Sequence, residues 1–182
     1  MQILAISGSL RRHSNNTRLL RALREEAPED VEITIWDGLK QLPHYDADDD
    51  VVPGPITVEA FRQLVREADA VVFATPEYNS SIPGALKNAL DWVSRPFATN
   101  VLRHKRVAVI GASQGMFGAG WAQADLRKVL SRIGASVDDR ELLVGLAGEQ
   151  FTADARLRDP GHAARLETIV ESLADCAAQR AA

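Results

Sequence analysis

The chain has 182 residues, of which 46% are hydrophobic and 25% charged, and its formal net charge is −4. This length fits one domain, which can bury about 70% of the surface of its unfolded chain and needs neither disulfides nor a metal to fold. The mild acidic charge excludes the broad basic field that holds nucleic acid or an anionic membrane surface.

The numbers of cysteines and histidines and the absence of long apolar runs exclude further classes of protein. The single cysteine excludes an intramolecular disulfide, and Cys176 is interpreted as a packing residue on the last helix. No basic segment precedes an apolar stretch at the start, and no apolar run approaches the roughly 20 residues of a membrane helix. The four histidines lack zinc-ligand spacing. We expect a single cytoplasmic domain over residues 1–182, with no metal, no membrane and no nucleic-acid partner.

Short apolar runs alternate with helical stretches along the first third of the chain. Residues 3–6 are continuously apolar, as in a strand that is covered on both faces. The apolar spacing in residues 15–27 predicts an amphipathic helix. Residues 31–36 alternate with period two, which predicts a half-exposed strand near the edge of a sheet. Residues 37–56 are rich in Asp, Pro and Gly and predict a long surface loop.

The same alternation continues to the end of the chain. The further predicted elements are a helix at 58–67, a strand at 70–74, a helix at 83–93, a strand at 106–111, a helix at 119–133, a strand at 136–144 and a helix at about 162–179. Strands that are separated by helices pair in parallel through right-handed crossovers. We therefore predict an α/β domain with a doubly wound, five-stranded parallel sheet in the order 2-1-3-4-5 and helices on both faces. In such a sheet, ligands bind beyond the carboxyl ends of the strands, at the switch point between strands 1 and 3.

The loop after the first strand predicts a site for a phosphate monoester. It supplies hydroxyl and amide donors together with Arg11, and it ends at a helix N-terminus, where unpaired N–H groups and the helix dipole favour an anion. An arginine can bind phosphate with two parallel hydrogen bonds. Alternatively, Ser14, Asn15 and Asn16 only cap the helix. Capping alone does not account for Ser9 and Arg11. The spacings of the Walker and dinucleotide loops are both absent.

The loops after the third and fourth strands predict a surface for a flat ring. In residues 75–84, free backbone donors can bind the polar edge of a heteroaromatic ring while Tyr78 covers its apolar surface. The alternative is an ordinary loop with Tyr78 at a subunit contact, and the two interpretations are compatible. Glycines in residues 111–120 allow the backbone to approach a ligand closely. Their order is the reverse of a dinucleotide fingerprint, so a Rossmann site is not predicted.

Together these motifs resemble the NADPH-dependent FMN reductases, flavodoxin-like proteins that include quinone, chromate and azo-dye reductases. Gly-Ser-Leu-Arg followed by Ser-x-Asn occurs at 8–16, and Pro-Glu-Tyr-Asn occurs at 76–79. A third motif, Ser-x-Gly with a later glycine and an Ala-Gln pair, occurs at 113–123. The resemblance spans about residues 1–145. Many members carry an arginine before the Ala-Gln pair, where this chain has Trp121.

The resemblance implies a cofactor, a reaction and a set of binding residues. FMN would be held at its phosphate by Ser9, Arg11, Ser14 and Asn16, at its isoalloxazine ring by Pro76, Glu77, Tyr78 and Asn79, and near its pyrimidine side by the loop with Ser113, Gly115 and Gly118. NADPH or NADH would be the donor, and the acceptor would be a quinone, free flavin, an azo compound or chromate. No catalytic side chain is predicted, because the chemistry belongs to the cofactor. Family members are commonly dimers or tetramers, which implies a homodimer or homotetramer.

Two alternative functions stay open at this point. A flavodoxin-type electron-transfer protein would bind FMN without turning over NAD(P)H itself. Such proteins have phosphate loops rich in Thr and Gly and strongly acidic surfaces, unlike this chain. A partner-binding or regulatory module would take up no FMN at all.

Overall fold

The computed structural model describes residues 1–181, with side chains described through residue 174, so the side chain of Cys176 lies outside this part. Five parallel strands form one sheet in the order β2-β1-β3-β4-β5, which confirms the predicted fold. The strands are β1 (Gln2–Ser7), β2 (Glu32–Trp36), β3 (Ala70–Ala74), β4 (Arg106–Ala112) and β5 (Ser136–Val144). Their bounds differ from the predicted ones by one residue at most.

Five helices cover the two faces of this sheet. They are α1 (Asn15–Glu25), α2 (Ile56–Glu67), α3 (Gly84–Val93), α4 (Gly120–Ile133) and α5 (Pro160–Ala181). Helices α1 and α5 pack on one face, and α2, α3 and α4 pack on the other, so the sheet separates two apolar cores. None of the helices within the described residues is both long enough and apolar enough to cross a membrane.

Burial along the strands explains their sequence patterns. In β1, Ile3 and Ala5 enter one core while Leu4 and Ile6 enter the other, so a continuous apolar run is required. Each fully buried aliphatic side chain of this size contributes about 1.5–3 kcal/mol relative to exposure. The edge strand β2 alternates instead, with Ile33 buried between exposed neighbours. The predicted half-exposed edge strand is therefore confirmed.

Residues 37–56 are more ordered than their composition indicates. They form two short 3₁₀ turns, and Leu39 is buried against the core under α2 and α3. The carbonyl of Pro43 accepts hydrogen bonds from Asn88 Nδ2 at 2.8 Å and from Trp92 Nε1 at 2.9 Å. Polar side chains of α3 thus hold this segment in place. The abundance of turn-forming residues in the segment predicts a loop but does not predict these contacts.

Strand β5 is joined to α5 through a buried carboxylate, that of Asp138. Its side chain, only 3% exposed, accepts hydrogen bonds from the Arg140 N–H at 2.8 Å, from Arg140 Nη1 at 3.1 Å and from the Ser172 hydroxyl. Burial alone would raise the pKa of Asp138. The hydrogen bonds from Ser172 and Arg140, with the charge of Arg140, outweigh burial and hold this pKa below its ordinary value.

The substitution Asp138→Asn tests this linkage. A carboxylate whose pKa is lowered on folding stabilises the protein above the ordinary aspartate pKa of about 4, and the effect is lost as pH falls through the folded-state pKa. We expect the free energy of unfolding at neutral pH to fall by about 1–3 kcal/mol. The decline of stability in acid should also become shallower. Urea titrations at neutral and acid pH measure both, with the exposed neighbour Asp139→Asn as control. Equal losses in neutral and acid solution would contradict the linkage.

Candidate functional site

Three loops meet where β1, β3 and β4 end, because the carboxyl ends of parallel strands share one edge of the sheet. Between them lies a cleft of about 230 Å³ that is open to solvent, here called the main cleft. Its lining residues are Ser9, Arg11, Ser14, Asn15, Asn16, Pro76, Glu77, Tyr78, Ala112, Ser113 and Gln114. All three predicted loops therefore contribute to one site.

Most of the residues that the sequence singled out are brought together here. Eight of the eleven line the main cleft, whereas Asn79, Gly115 and Gly118 do not. Three lining residues, Asn15, Ala112 and Gln114, are not among the predicted binding residues. Gln114 lies between Ser113 and Gly115, and its position two residues after the end of β4 is the sequence signal that could have identified it. Asn15 had been assigned only a capping role.

Helix α1 begins at the main cleft with N–H groups that no described residue uses. The Ser14 side chain caps the helix and accepts hydrogen bonds from the N–H groups of Asn16 and Thr17, each at 3.2 Å. The N–H groups of Ser14 and Asn15 themselves have no partner within the described residues. A helix start with free N–H groups is a ready site for an anion. Capping and anion binding thus coexist in this segment.

Arg11 stands at the rim of the same cleft as an exposed cation. One guanidinium nitrogen, Nη2, donates to the carbonyl of His13 at 2.9 Å, and this contact closes the loop on itself. The remaining N–H donors of the guanidinium group are not used by any described residue. Arg11 is therefore oriented by its own loop while keeping donors for a phosphate.

Asn16 has a structural role that the sequence did not reveal. Its side chain is 2% exposed, donates from Nδ2 to the carbonyl of Ala112 at 2.9 Å and accepts from the N–H of Ala112 at 2.9 Å. Both polar ends of the amide are thus engaged with the end of β4. Asn16 lines the main cleft, but its side chain first of all holds the loop after β1 against the loop after β4.

The loop after β3 contains a two-residue hairpin turn. Tyr78 and Ser81 exchange backbone hydrogen bonds of 3.0 and 3.2 Å, and the intervening Asn79 and Ser80 have φ values of 53° and 60°. Positive φ at both central positions defines a type I′ turn, in which asparagine is favoured. This explains Asn79 as a turn residue outside the cleft lining. Tyr78, 53% exposed, stands at the rim of the cleft.

Glu77 connects the same loop to α4. The residue before that helix, Ala119, has no side-chain acceptor, and the Glu77 carboxylate accepts the N–H of Ala122 at 3.2 Å instead. A carboxylate at a helix N-terminus is stabilising. The backbone N–H groups of Glu77 and Gln114 have no partner within the described residues and remain available at the cleft.

Gly118 packs against a strand of the protein itself rather than lining the cleft. Its φ is +56°, and an added Cβ would lie 2.5 Å from the carbonyl carbon of Leu143, near the end of β5. A close approach was predicted for this loop, and here the approaching backbone is that of β5. Gly115, in contrast, is exposed, and its nearest neighbour to an added Cβ would be Ser113 Oγ at 3.6 Å.

An exposed apolar rim extends from the third loop. Met116 is 72% exposed, Phe117 63% and Trp121 55%. The rings of Phe117 and Trp121 meet edge to face with centroids 5.2 Å apart. The residue that departs from the expected arginine, Trp121, therefore adds an aromatic surface at the start of α4, just after the loop whose residues Ser113 and Gln114 line the main cleft.

Comparisons with known proteins agree with this geometry. The family model for NADPH-dependent FMN reductases matches residues 1–149. An NAD(P)H-dependent FMN reductase of Pseudomonas aeruginosa is 39% identical over 160 residues, covering 87% of this chain and 85% of that protein. A quinone reductase of Escherichia coli is 39% identical over 146 residues, covering 80% and 77%. The solved structure of FerB, a flavoenzyme NAD(P)H:(acceptor) oxidoreductase from Paracoccus denitrificans, superposes with a TM-score of 0.88 at 34% identity over 98% of this chain and 97% of that one.

Proposed function

Because the chain belongs to the NADPH-dependent FMN reductase family and is an FMN-dependent, NAD(P)H-oxidising enzyme, we propose that it binds FMN in the main cleft and reduces a quinone. The observation that carries the proposal is the convergence of the phosphate-type loop and the ring-type loops on one open cleft. A homodimer or homotetramer that acts in the cytoplasm completes the proposal, and the single cysteine fits a reducing compartment.

The donor set at the start of α1 fits the phosphate of FMN. The main cleft is lined by Ser14 and Asn15, whose N–H groups are free among the described residues, and by Arg11, which keeps unused guanidinium donors. Ser9 adds a hydroxyl there. A dianion at this place would be stabilised by hydrogen bonds and by the helix dipole together. This end of the cleft binds and orients the cofactor but takes no part in the chemistry.

The other end of the main cleft fits the flavin ring. When bound, FMN supplies the two-electron chemistry between nicotinamide and acceptor. The free N–H groups of Glu77 and Gln114 can bind the polar edge of the ring, where fixed donors stabilise negative charge. Glu77 is the one carboxylate among the lining residues, and it is engaged by α4. The main cleft thus positions the flavin ring, and none of its lining residues is assigned the role of a general acid or base.

The apolar rim favours a quinone over chromate as acceptor. Exposed aromatic surface is provided by Tyr78, which lines the cleft, and by Phe117 and Trp121, which follow the lining residue Gln114 along the chain. Flat aromatic molecules pack on such surfaces, whereas an oxyanion would lose hydration there without gaining a charged partner. Similar proteins that are named quinone reductases support the same choice.

The direct test is an anaerobic stopped-flow experiment on FMN-loaded protein, mixed with NADPH and separately with NADH. We expect rapid loss of the visible absorption of oxidised flavin, followed by its return when a quinone is added. Chromate should reoxidise the protein more slowly than the quinone. Flavin that binds but stays oxidised with both donors would identify an electron-transfer protein instead. Failure to bind FMN would reject the assignment of the main cleft.

A further inference from the structure

A second cleft lies beside the phosphate end of the main cleft. It has a volume of about 320 Å³ and shares Ser9 and Arg11 with the main cleft, so the two are adjacent. We call it the basic cleft, because its other charged lining residues are Arg12, Arg21, Lys40 and one acid, Asp37. This local excess of positive charge stands out in a chain whose net charge is −4.

The three further cations of the basic cleft are not used by the fold. The side chains of Arg12, Arg21 and Lys40 are exposed, and they form no hydrogen bond or ion pair with any described residue. The neighbouring Arg18 differs, because its guanidinium lies 4.7 Å from the ring centroid of Phe151 and donates to the carbonyl of Thr152. Side chains that lie together and unpaired repel one another, and a bound anion removes this cost.

The remaining walls of the basic cleft suit a nucleoside. Leu10, Ile35 and Trp36 provide partly exposed apolar surface beside the cations. Asp37 provides an acceptor for an amino or hydroxyl group. In dinucleotide sites an acid alone favours the ribose hydroxyl of NAD, whereas arginine favours the additional phosphate of NADP. Here the acid is accompanied by three free cations.

From this arrangement we propose that the basic cleft binds the 2′-phosphoadenosine half of NADPH, with Arg12, Arg21 and Lys40 on the 2′-phosphate. The proposal rests on the proposed function, since it concerns the donor of the same reaction. With the nicotinamide at the Tyr78 side of the main cleft, the rest of the donor would extend toward Ser9 and Arg11, the two residues that the main cleft shares with the basic cleft. The adenosine half then arrives at the basic cleft, and the enzyme prefers NADPH to NADH.

Calorimetric titration of FMN-loaded protein with 2′,5′-ADP and with 5′-AMP tests binding without any turnover. We expect 2′,5′-ADP to bind at least about tenfold more tightly, as one or more charge-assisted hydrogen bonds would give. Arg12→Ala and Arg21→Ala should each remove most of that difference. They should also lower the ratio of kcat/KM for NADPH to that for NADH by about tenfold. Arg24→Ala is the matched control, because Arg24 lies on the same helix, pairs with Glu25 at 3.9 Å and lines neither cleft.

Three results would overturn the proposal. Equal affinity for 2′,5′-ADP and 5′-AMP would show that the cations do not bind the 2′-phosphate. If Arg24→Ala lowered the preference for 2′,5′-ADP equally, Arg12 and Arg21 would act only through the overall charge of the protein and not by direct contact with the 2′-phosphate. Loss of FMN affinity in Arg12→Ala would assign the cations to the flavin phosphate. If neither donor reduces the flavin while 2′,5′-ADP still binds selectively, the proposed function fails and the basic cleft stands as a nucleotide site.

Discussion

Arg11→Ala is expected to raise the dissociation constant of FMN by about 10- to 100-fold, which corresponds to the loss of one or two hydrogen bonds to a charged group. The expectation follows from the position of Arg11 at the rim of the main cleft with unused guanidinium donors. Because the side chain is exposed and its one hydrogen bond within the described residues is to His13 of its own loop, the free energy of unfolding of the flavin-free protein should change little. Fluorescence titration of the flavin-free protein with FMN measures the affinity.

The control for this experiment separates phosphate binding from general charge. Arg24→Ala removes the same charge from the far end of α1, outside the main cleft, and should leave FMN affinity nearly unchanged. Riboflavin, which lacks the phosphate, adds a second control, since its affinity should not respond to Arg11→Ala. Unchanged FMN affinity in Arg11→Ala would remove the phosphate-site assignment.

Gly118→Ala is expected to lower the free energy of unfolding by about 2–4 kcal/mol. Two causes act together at this position. The φ of +56° is unfavourable for alanine, and the added Cβ would lie 2.5 Å from the backbone of Leu143, which cannot rotate away as a side chain would. Urea unfolding of the flavin-free protein gives the value without a contribution from the ligand.

Gly115→Ala is the matched control in the same loop. An alanine Cβ there meets nothing closer than Ser113 Oγ at 3.6 Å, and the position is exposed. We expect a change in unfolding free energy within about 0.5 kcal/mol. Equal destabilisation by the two substitutions would mean that the packing of Gly118 on β5 is not what requires glycine there.

The central and edge positions of strands could be predicted because the apolar pattern of a strand reflects whether one or both of its faces are buried. Residues 3–6 and 70–74 are continuously apolar and lie in the centre of the sheet, whereas Glu32–Trp36 alternates and lies at an edge. Residues 37–56 were less predictable. Their turn-forming residues indicate a loop, but the contacts of Pro43 with Asn88 and Trp92 join positions more than 40 residues apart.

The same reason limits what sequence motifs reveal about the site. The motif residues Ser9, Arg11 and Ser14 form their hydrogen bonds within their own segment of the chain. Their sequence spacing alone was therefore enough to predict that they line the main cleft. Asn16 and Gly118 belong to the same motifs, yet their immediate partners are the backbone of Ala112 and Leu143, far away in sequence. A motif shows that a residue type is needed at a position, but not whether a ligand or another strand requires it.

The amide bridge from Asn16 to Ala112 also bears on how a preparation of this protein should be judged. Two hydrogen bonds between groups of the protein fix the distance between the two loops without any help from FMN. We therefore expect these two loops of the main cleft to have the same arrangement before FMN binds, so that little conformational entropy is lost on binding. A colourless preparation would then contain folded, flavin-free protein. The yellow colour that develops after FMN is added would measure the fraction of clefts that bind FMN, not the fraction of protein that refolds.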